Sequence, residues 1–158
     1  MSILQFLLLW IVFLSKESFA EKAEACTDHI NSCACKTANG FINLEPLDMA
    51  KANGKPKWIN QLDKHNSTIV YSYNPCTEFT LGTDGACSNV AGCQTVAGPP
   101  VNYPIGTQDT AKFTTDAALG TILTYTAMDP MGQLTRTLKV QLVCDRSQEG
   151  ALSMLVRI

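Results

Sequence analysis

The chain has 158 residues, with 12 Lys and Arg against 14 Asp and Glu, and a formal net charge of −2. That balance, with no basic stripe, argues against nucleic acid as a partner. Beyond a short leader the length fits one domain with a single sizeable core, and no second long apolar run follows.

Residues 1–20 read as a secretory signal peptide. Ile3 to Leu14 is an apolar run too short to span a bilayer. Ser18-Phe19-Ala20 then supplies the small-x-small pattern of a cleavage site, expected after Ala20. Residues 21–34 are polar and are expected to be loosely held. From Phe41 the punctuation is β-like. Gly40-Phe41-Ile42-Asn43-Leu44 is a short strand stopped by Pro46. Asp48 to Ala52 allows one helical turn. Met49 to Gln61, with Asn53-Gly54, Pro56 and several lysines, reads as a loop. Thr68 to Tyr73 is rich in β-branched and aromatic residues and reads as a strand ending at Asn74-Pro75-Cys76.

Gly82 to Cys87 is turn-rich, and Gln94-Thr95-Val96 is a strand ended by Gly98-Pro99-Pro100. Thr121 to Thr126 is another strand. Asp129-Pro130-Met131-Gly132 is a turn, and Gln133 to Cys144 is expected to be the longest strand of all. Short strands at regular turn spacing predict an all-β sandwich or flattened barrel.

The seven cysteines, Cys26, Cys33, Cys35, Cys76, Cys87, Cys93 and Cys144, all follow the leader. An oxidising compartment would pair them, and an odd number leaves at least one over. The C-x-x-C pairs of a zinc site are absent. Cys33-Ala34-Cys35 lacks the helix start that would lower a thiol pKa. There is no Gly-x-Ser-x-Gly elbow, and His29 and His65 lie in polar loop sequence, so neither catalysis, nor a cofactor, nor a metal is expected. Asn66-Ser67-Thr68 is an N-glycosylation acceptor.

Arg136 lies in line with Leu134, Leu138, Val140 and Leu142 if its segment is a strand. A guanidinium on a core-facing row must be paired or must meet a polar ligand. Alternatively, a residue so near the strand start snorkels to the rim. Tyr103 and Tyr125 are candidates to stack on a ligand ring, Tyr125 being the better fit to the core.

Several motifs in series carry a resemblance. They are Phe41-x-x-Leu44-x-Pro46-Leu47; Tyr71-x-Tyr73-Asn74-Pro75-Cys76; Cys87; Cys93-Gln94; Gly106; Leu123-x-Tyr125; Arg136; and Leu142-Val143-Cys144-Asp145. From about Cys35 to about Asp145 the chain resembles the mannose 6-phosphate receptor homology domain. The resemblance implies an all-β fold, a flattened β-barrel or sandwich of two antiparallel sheets stabilised by disulfides. It assigns residues 35–158 to that domain, after the signal peptide and the 21–34 segment.

In the family's lectins a Gln, an Arg, a Glu and a Tyr form the sugar pocket. Gln94 and Arg136 match the first two. The Glu and Tyr come from a last strand after the cysteine matched by Cys144, and they have no counterpart; Glu149 is not in that context. The resemblance therefore implies a truncated or spliced form lacking its final strand. It also implies the pairs Cys35–Cys76 and Cys87–Cys93, a private pair Cys26–Cys33, and an unpaired Cys144.

The function implied is a carbohydrate-binding, receptor-like domain of the secretory and lysosomal sorting pathway, impaired in this form. Its partners would be mannose-type or mannose 6-phosphate glycans on glycoproteins such as lysosomal hydrolases. The alternative is a lumenal domain of a trafficking or adaptor membrane protein without sugar affinity, on the autophagy-related branch. Both readings place it in the lumen of the secretory pathway or outside the cell, with longer forms anchored in a membrane.

Overall fold

A computed structural model describes residues 21–22, 24–129, 131–144, 150 and 152. The expected signal peptide and Glu149 lie outside the described residues. In chain order the strands are β1 (Glu21–Lys22), β2 (Asp28–Asn31), β3 (Ala34–Thr37), β4 (Gly40–Asn43), β5 (Trp58–Leu62), β6 (Ile69–Tyr73) and β7 (Phe79–Leu81). They continue with β8 (Cys87–Val90), β9 (Gly92–Val96), β10 (Val101–Gly106), β11 (Lys112–Asp116), β12 (Gly120–Met128), β13 (Thr135–Gln141) and β14 (Val143–Cys144). One short helix, α1 (Ala50–Asn53), and two 3-10 turns interrupt them.

Two antiparallel sheets form the sandwich: a four-stranded sheet ordered β10-β9-β6-β5 and a three-stranded sheet ordered β11-β12-β13. Smaller sheets, β2-β3-β4, β7-β8 and β1-β14, accompany it. The all-β sandwich is the expected class, but the two main sheets stay open and do not close into a barrel. Tyr71, Tyr73 and Ile105 of the first sheet and Phe113, Leu123, Tyr125 and Leu138 of the second share one buried core. Burying such side chains is worth about 1.5–3 kcal/mol each.

The sheets approach closely because two positions carry no side chain. A Cβ at Gly92 would lie 2.6 Å from Leu138 Cδ2, and one at Gly106 would overlap Tyr125 Cβ. At the centre Tyr73 and Tyr125 share a hydroxyl–hydroxyl hydrogen bond of 3.0 Å. Trp58 stacks on Tyr73, with ring centroids 5.4 Å apart.

Buried Asn74 ties the connections together. Its Oδ1 accepts from the backbone N–H groups of Met49, Ala50 and Lys57. Its Nδ2 donates to Asp48 Oδ1 and to the carbonyls of Pro75 and Thr77.

Several expectations need correction. The 49–61 segment is not simply a loop, since it holds α1, capped by Gly54 at φ 70°, and edge strand β5. The strand expected from Gln133 to Cys144 is divided. The ladder with β12 runs to Gln141, one more bond joins the Leu142 N–H to the Thr121 carbonyl, and β14 then pairs with β1. Strand β12, of 9 residues, is the longest. The 21–34 segment is tied in rather than loose: β2 pairs with β3, Cys33 is buried, and Thr121 donates to the Glu24 carbonyl.

The disulfides are Cys26–Cys35, Cys33–Cys76 and Cys87–Cys93, and Cys144 is exposed and free. The pairs Cys35–Cys76 and Cys26–Cys33 are therefore corrected. Hairpin geometry is the reason. Cys33 sits at the tight turn between β2 and β3, whereas Cys26 lies at the open end, beside Thr27, whose N–H donates to the Lys36 carbonyl. That brings Cys26 to Cys35, with Cα atoms 5.7 Å apart, and leaves Cys33 4.9 Å from Cys76. Both separations suit a disulfide. Three disulfides fit an oxidising secretory or extracellular environment.

Candidate functional site

Strand β9 runs between β6 and β10. In its register Gln94 stands directly opposite Tyr71 on one side and Tyr103 on the other. Directly opposed residues share a face, so Tyr71, Gln94 and Tyr103 form a row across the sheet. Tyr71 is buried, whereas Gln94 and Tyr103 are half-buried.

The facing sheet supplies Arg136, paired with Ala127 at the β12–β13 register. The row on which it was expected is largely present. Leu138 is buried, and Val140 and Leu142 pack against the core. Leu134 departs from it, preceding β13 and lying 49% exposed.

Arg136 neither disappears into the core nor swings free. Its guanidinium carbon lies 4.5 Å from the centroid of the Tyr103 ring. This is a cation–π contact, worth about 0.5–1 kcal/mol in a partly solvated place. Its Nε is buried and has no hydrogen-bond partner among the described residues. Both expected site residues thus border Tyr103, Gln94 as its strand partner and Arg136 over its face.

The surrounding polar groups set the charges. Asp129, on the turn before β13, has its carboxyl held below the ordinary value, first by the Gln133 N–H and also by the Leu134 N–H and the Arg136 charge. The Gln133 N–H reaches Asp129 Oδ1 at 2.8 Å. At the other end of the row the Tyr71 hydroxyl donates to Asp63 Oδ2 at 3.2 Å. Burial first, then the Asp63 charge, pushes the Tyr71 phenol up to about 12. Tyr125 is fully buried in the core, its phenol also raised to about 12 by burial, and it takes no part in the site.

Tyr103 was a sequence candidate, but its strand was not expected, and Pro104 in its middle lacks a ladder N–H. Pro104 is tolerated because β10 is an edge strand that needs no ladder N–H there. Asp63 and Asp129 were missed as site neighbours. Each lies in turn sequence, and only the local fold brings it to the row. His29 lies in strand β2 rather than a loop, its ring edge-on to Phe113 at 5.7 Å, and exposed His65 donates its backbone N–H to Asp63.

Chemically, the cluster offers a guanidinium fork, an amide that donates and accepts, and an aromatic face. It contains no nucleophile–base pair among the described residues. Among those same residues no group of three or more His, Cys, Asp or Glu side chains could hold a metal ion, and no helix is long and apolar enough to cross a membrane. No protein-family model, curated protein or solved structure matches the chain.

Proposed function

We propose that this chain is a carbohydrate-binding, receptor-like domain of the secretory and lysosomal sorting pathway, taking mannose-type glycans at Gln94, Tyr103 and Arg136. The observation that carries the reading is Arg136, stacked on Tyr103 with a buried and unpartnered Nε. Nε itself is buried, so a ligand oxygen would be met by the terminal nitrogens of this half-buried guanidinium, whose fork offers further donors. Ring hydroxyls of a hexose present adjacent oxygens that suit a guanidinium and an amide together, and a Tyr face suits the apolar side of the ring. Three disulfides are compatible with a lumenal or extracellular receptor.

The test is a glycan array probed with secreted protein and repeated with Arg136→Ala. Selective retention of mannose-type glycans, lost in the variant, is expected. An array with no mannose-type signal for the parent protein would refute the reading. A second reading, a trafficking or adaptor domain without sugar affinity, draws on one observation. The β12–β13 turn exposes Met128 at 61% and Met131 at 72%, apolar surface suited to a protein contact.

A further inference from the structure

The Asn66-Ser67-Thr68 motif has no part in the proposed sugar site, yet its turn is held by several hydrogen bonds. The run from Lys64 to Thr68 is exposed at the tip between β5 and β6. Asp63 Oδ1 accepts from the backbone N–H groups of His65 at 2.7 Å and Asn66 at 3.0 Å. The Asn66 carbonyl accepts from Ile69 N–H at 3.1 Å, and the Thr68 carbonyl accepts from Ala97 N–H at 2.7 Å. Within the motif, Asn66 Oδ1 accepts from both the Thr68 N–H at 3.0 Å and the Thr68 hydroxyl at 2.7 Å. The hydroxyl is thus aimed at the amide oxygen, and the side-chain hydrogen bonds of Asn66 run through Oδ1. Asn66 itself is exposed.

Just before this tip is an apolar weak point. β5 is the outer strand of the four-stranded sheet, and its last residue, Leu62, is 64% exposed, with Ile59 at 41%. An outer strand with exposed apolar residues invites pairing with another chain.

We propose that Asn66 carries an N-linked oligosaccharide and that this glycan covers the Leu62 end of β5. The donor is an oligosaccharide on a lipid pyrophosphate, the class of donor used in the secretory lumen. A bond forms between Asn66 Nδ2 and the anomeric carbon of the first sugar. The bond from that carbon to the pyrophosphate oxygen breaks, the lipid pyrophosphate leaves with the electron pair, and the amide nitrogen gives up one proton. The inference needs only an oxidising, lumenal setting, and it stands or falls independently of sugar binding at Arg136.

The experiment is expression of the full chain in a glycosylating secretory host, with free thiols alkylated so that Cys144 cannot cross-link copies. Mass spectrometry of the Asn66 peptide should show an attached oligosaccharide. Thr68→Ser should keep it, and Thr68→Ala should lose it. Trimming the folded protein to the first sugar with an endoglycosidase should raise its self-association at least several-fold by sedimentation, and Leu62→Ser should abolish that rise. A bare Asn66 in the parent protein would overturn the site. A glycan whose trimming leaves self-association unchanged, or a rise that survives Leu62→Ser, would overturn the covering role.

Discussion

Two polar side chains, Asn74 and Arg136, sit in opposite circumstances. Asn74 is fully buried, and both atoms of its amide are engaged, joining Met49, Ala50, Lys57, Asp48, Pro75 and Thr77. Arg136 is half-buried, leans on an aromatic ring, and keeps its Nε unpartnered. A saturated polar group is structural, since each partner is needed to offset its desolvation. A polar group left short of partners on a half-buried side chain holds capacity in reserve. Gln108 tempers the rule. It too has an unpartnered buried atom, Oε1, but its Nε2 is anchored on the carbonyls of Asn74 and Thr77, within the saturated region.

The comparison can be broken most forcefully at Asn74. Asn74→Ala would orphan three backbone N–H groups at once and should lower stability by about 3 kcal/mol or more, read as a fall in the urea midpoint. A loss below about 1 kcal/mol would mean that water replaces the amide and that saturation is not what matters. Next in size is Gly106→Ala. Its new methyl would overlap Tyr125 and should lower stability by about 1–3 kcal/mol, measured in the same way.

Arg136→Ala sharpens the contrast from the other side. It should change stability by less than about 1 kcal/mol, because what is lost is the contact with Tyr103 and the pull of its charge on Asp129. The same change should weaken mannose-type glycan binding by about 1.5–3 kcal/mol, or roughly ten- to a hundredfold, by titration calorimetry. A variant that unfolds readily yet binds normally when folded would reverse the assignment.

The smallest effect concerns acid. Asp63 has its carboxyl held below the ordinary value of 3.8, first by the His65 N–H, then by the Asn66 N–H and the Tyr71 hydroxyl. A depressed carboxylate favours the fold above its unfolded value, and that contribution fades as pH falls through the folded value. Melting temperature should therefore fall at acidic pH, and Asp63→Asn should make the fall shallower. Asp129 and Glu24, also held low, would keep part of it. An unchanged acid slope in the variant would show that the turn does not depend on the Asp63 charge.

The elements legible in sequence are those whose own residues favour them. Strands β6 and β12 are dense in β-branched and aromatic residues, and the alternation along β13 put Arg136 on the inner row beside Leu138. Strand β5 was hidden because Pro56 and the neighbouring lysines mask Trp58, and β10 because Pro104 contradicts it. The pair Cys87–Cys93 is present as expected, but the other two were not legible without the β2–β3 register, which decides whether Cys26 meets Cys33 or Cys35. The meeting of Arg136 with Tyr103 depends on how closely two sheets approach. That spacing is set by Gly92 and Gly106, positions whose meaning appears only once the opposite sheet is in place.

Trp58 gives the fold an optical reporter. The chain has two tryptophans, and Trp10 lies in the expected leader, so past Ala20 Trp58 is the single indole. It stacks on Tyr73 and donates its Nε1–H to the Gly150 carbonyl at 3.0 Å. Its emission therefore responds to two events at one site: loosening of the aromatic core, and detachment of the chain beyond β14 from the edge of the main sheet. A shift in wavelength that precedes the loss of far-ultraviolet β signal during denaturation would separate the two, and would time the release of that tail against the opening of the sandwich.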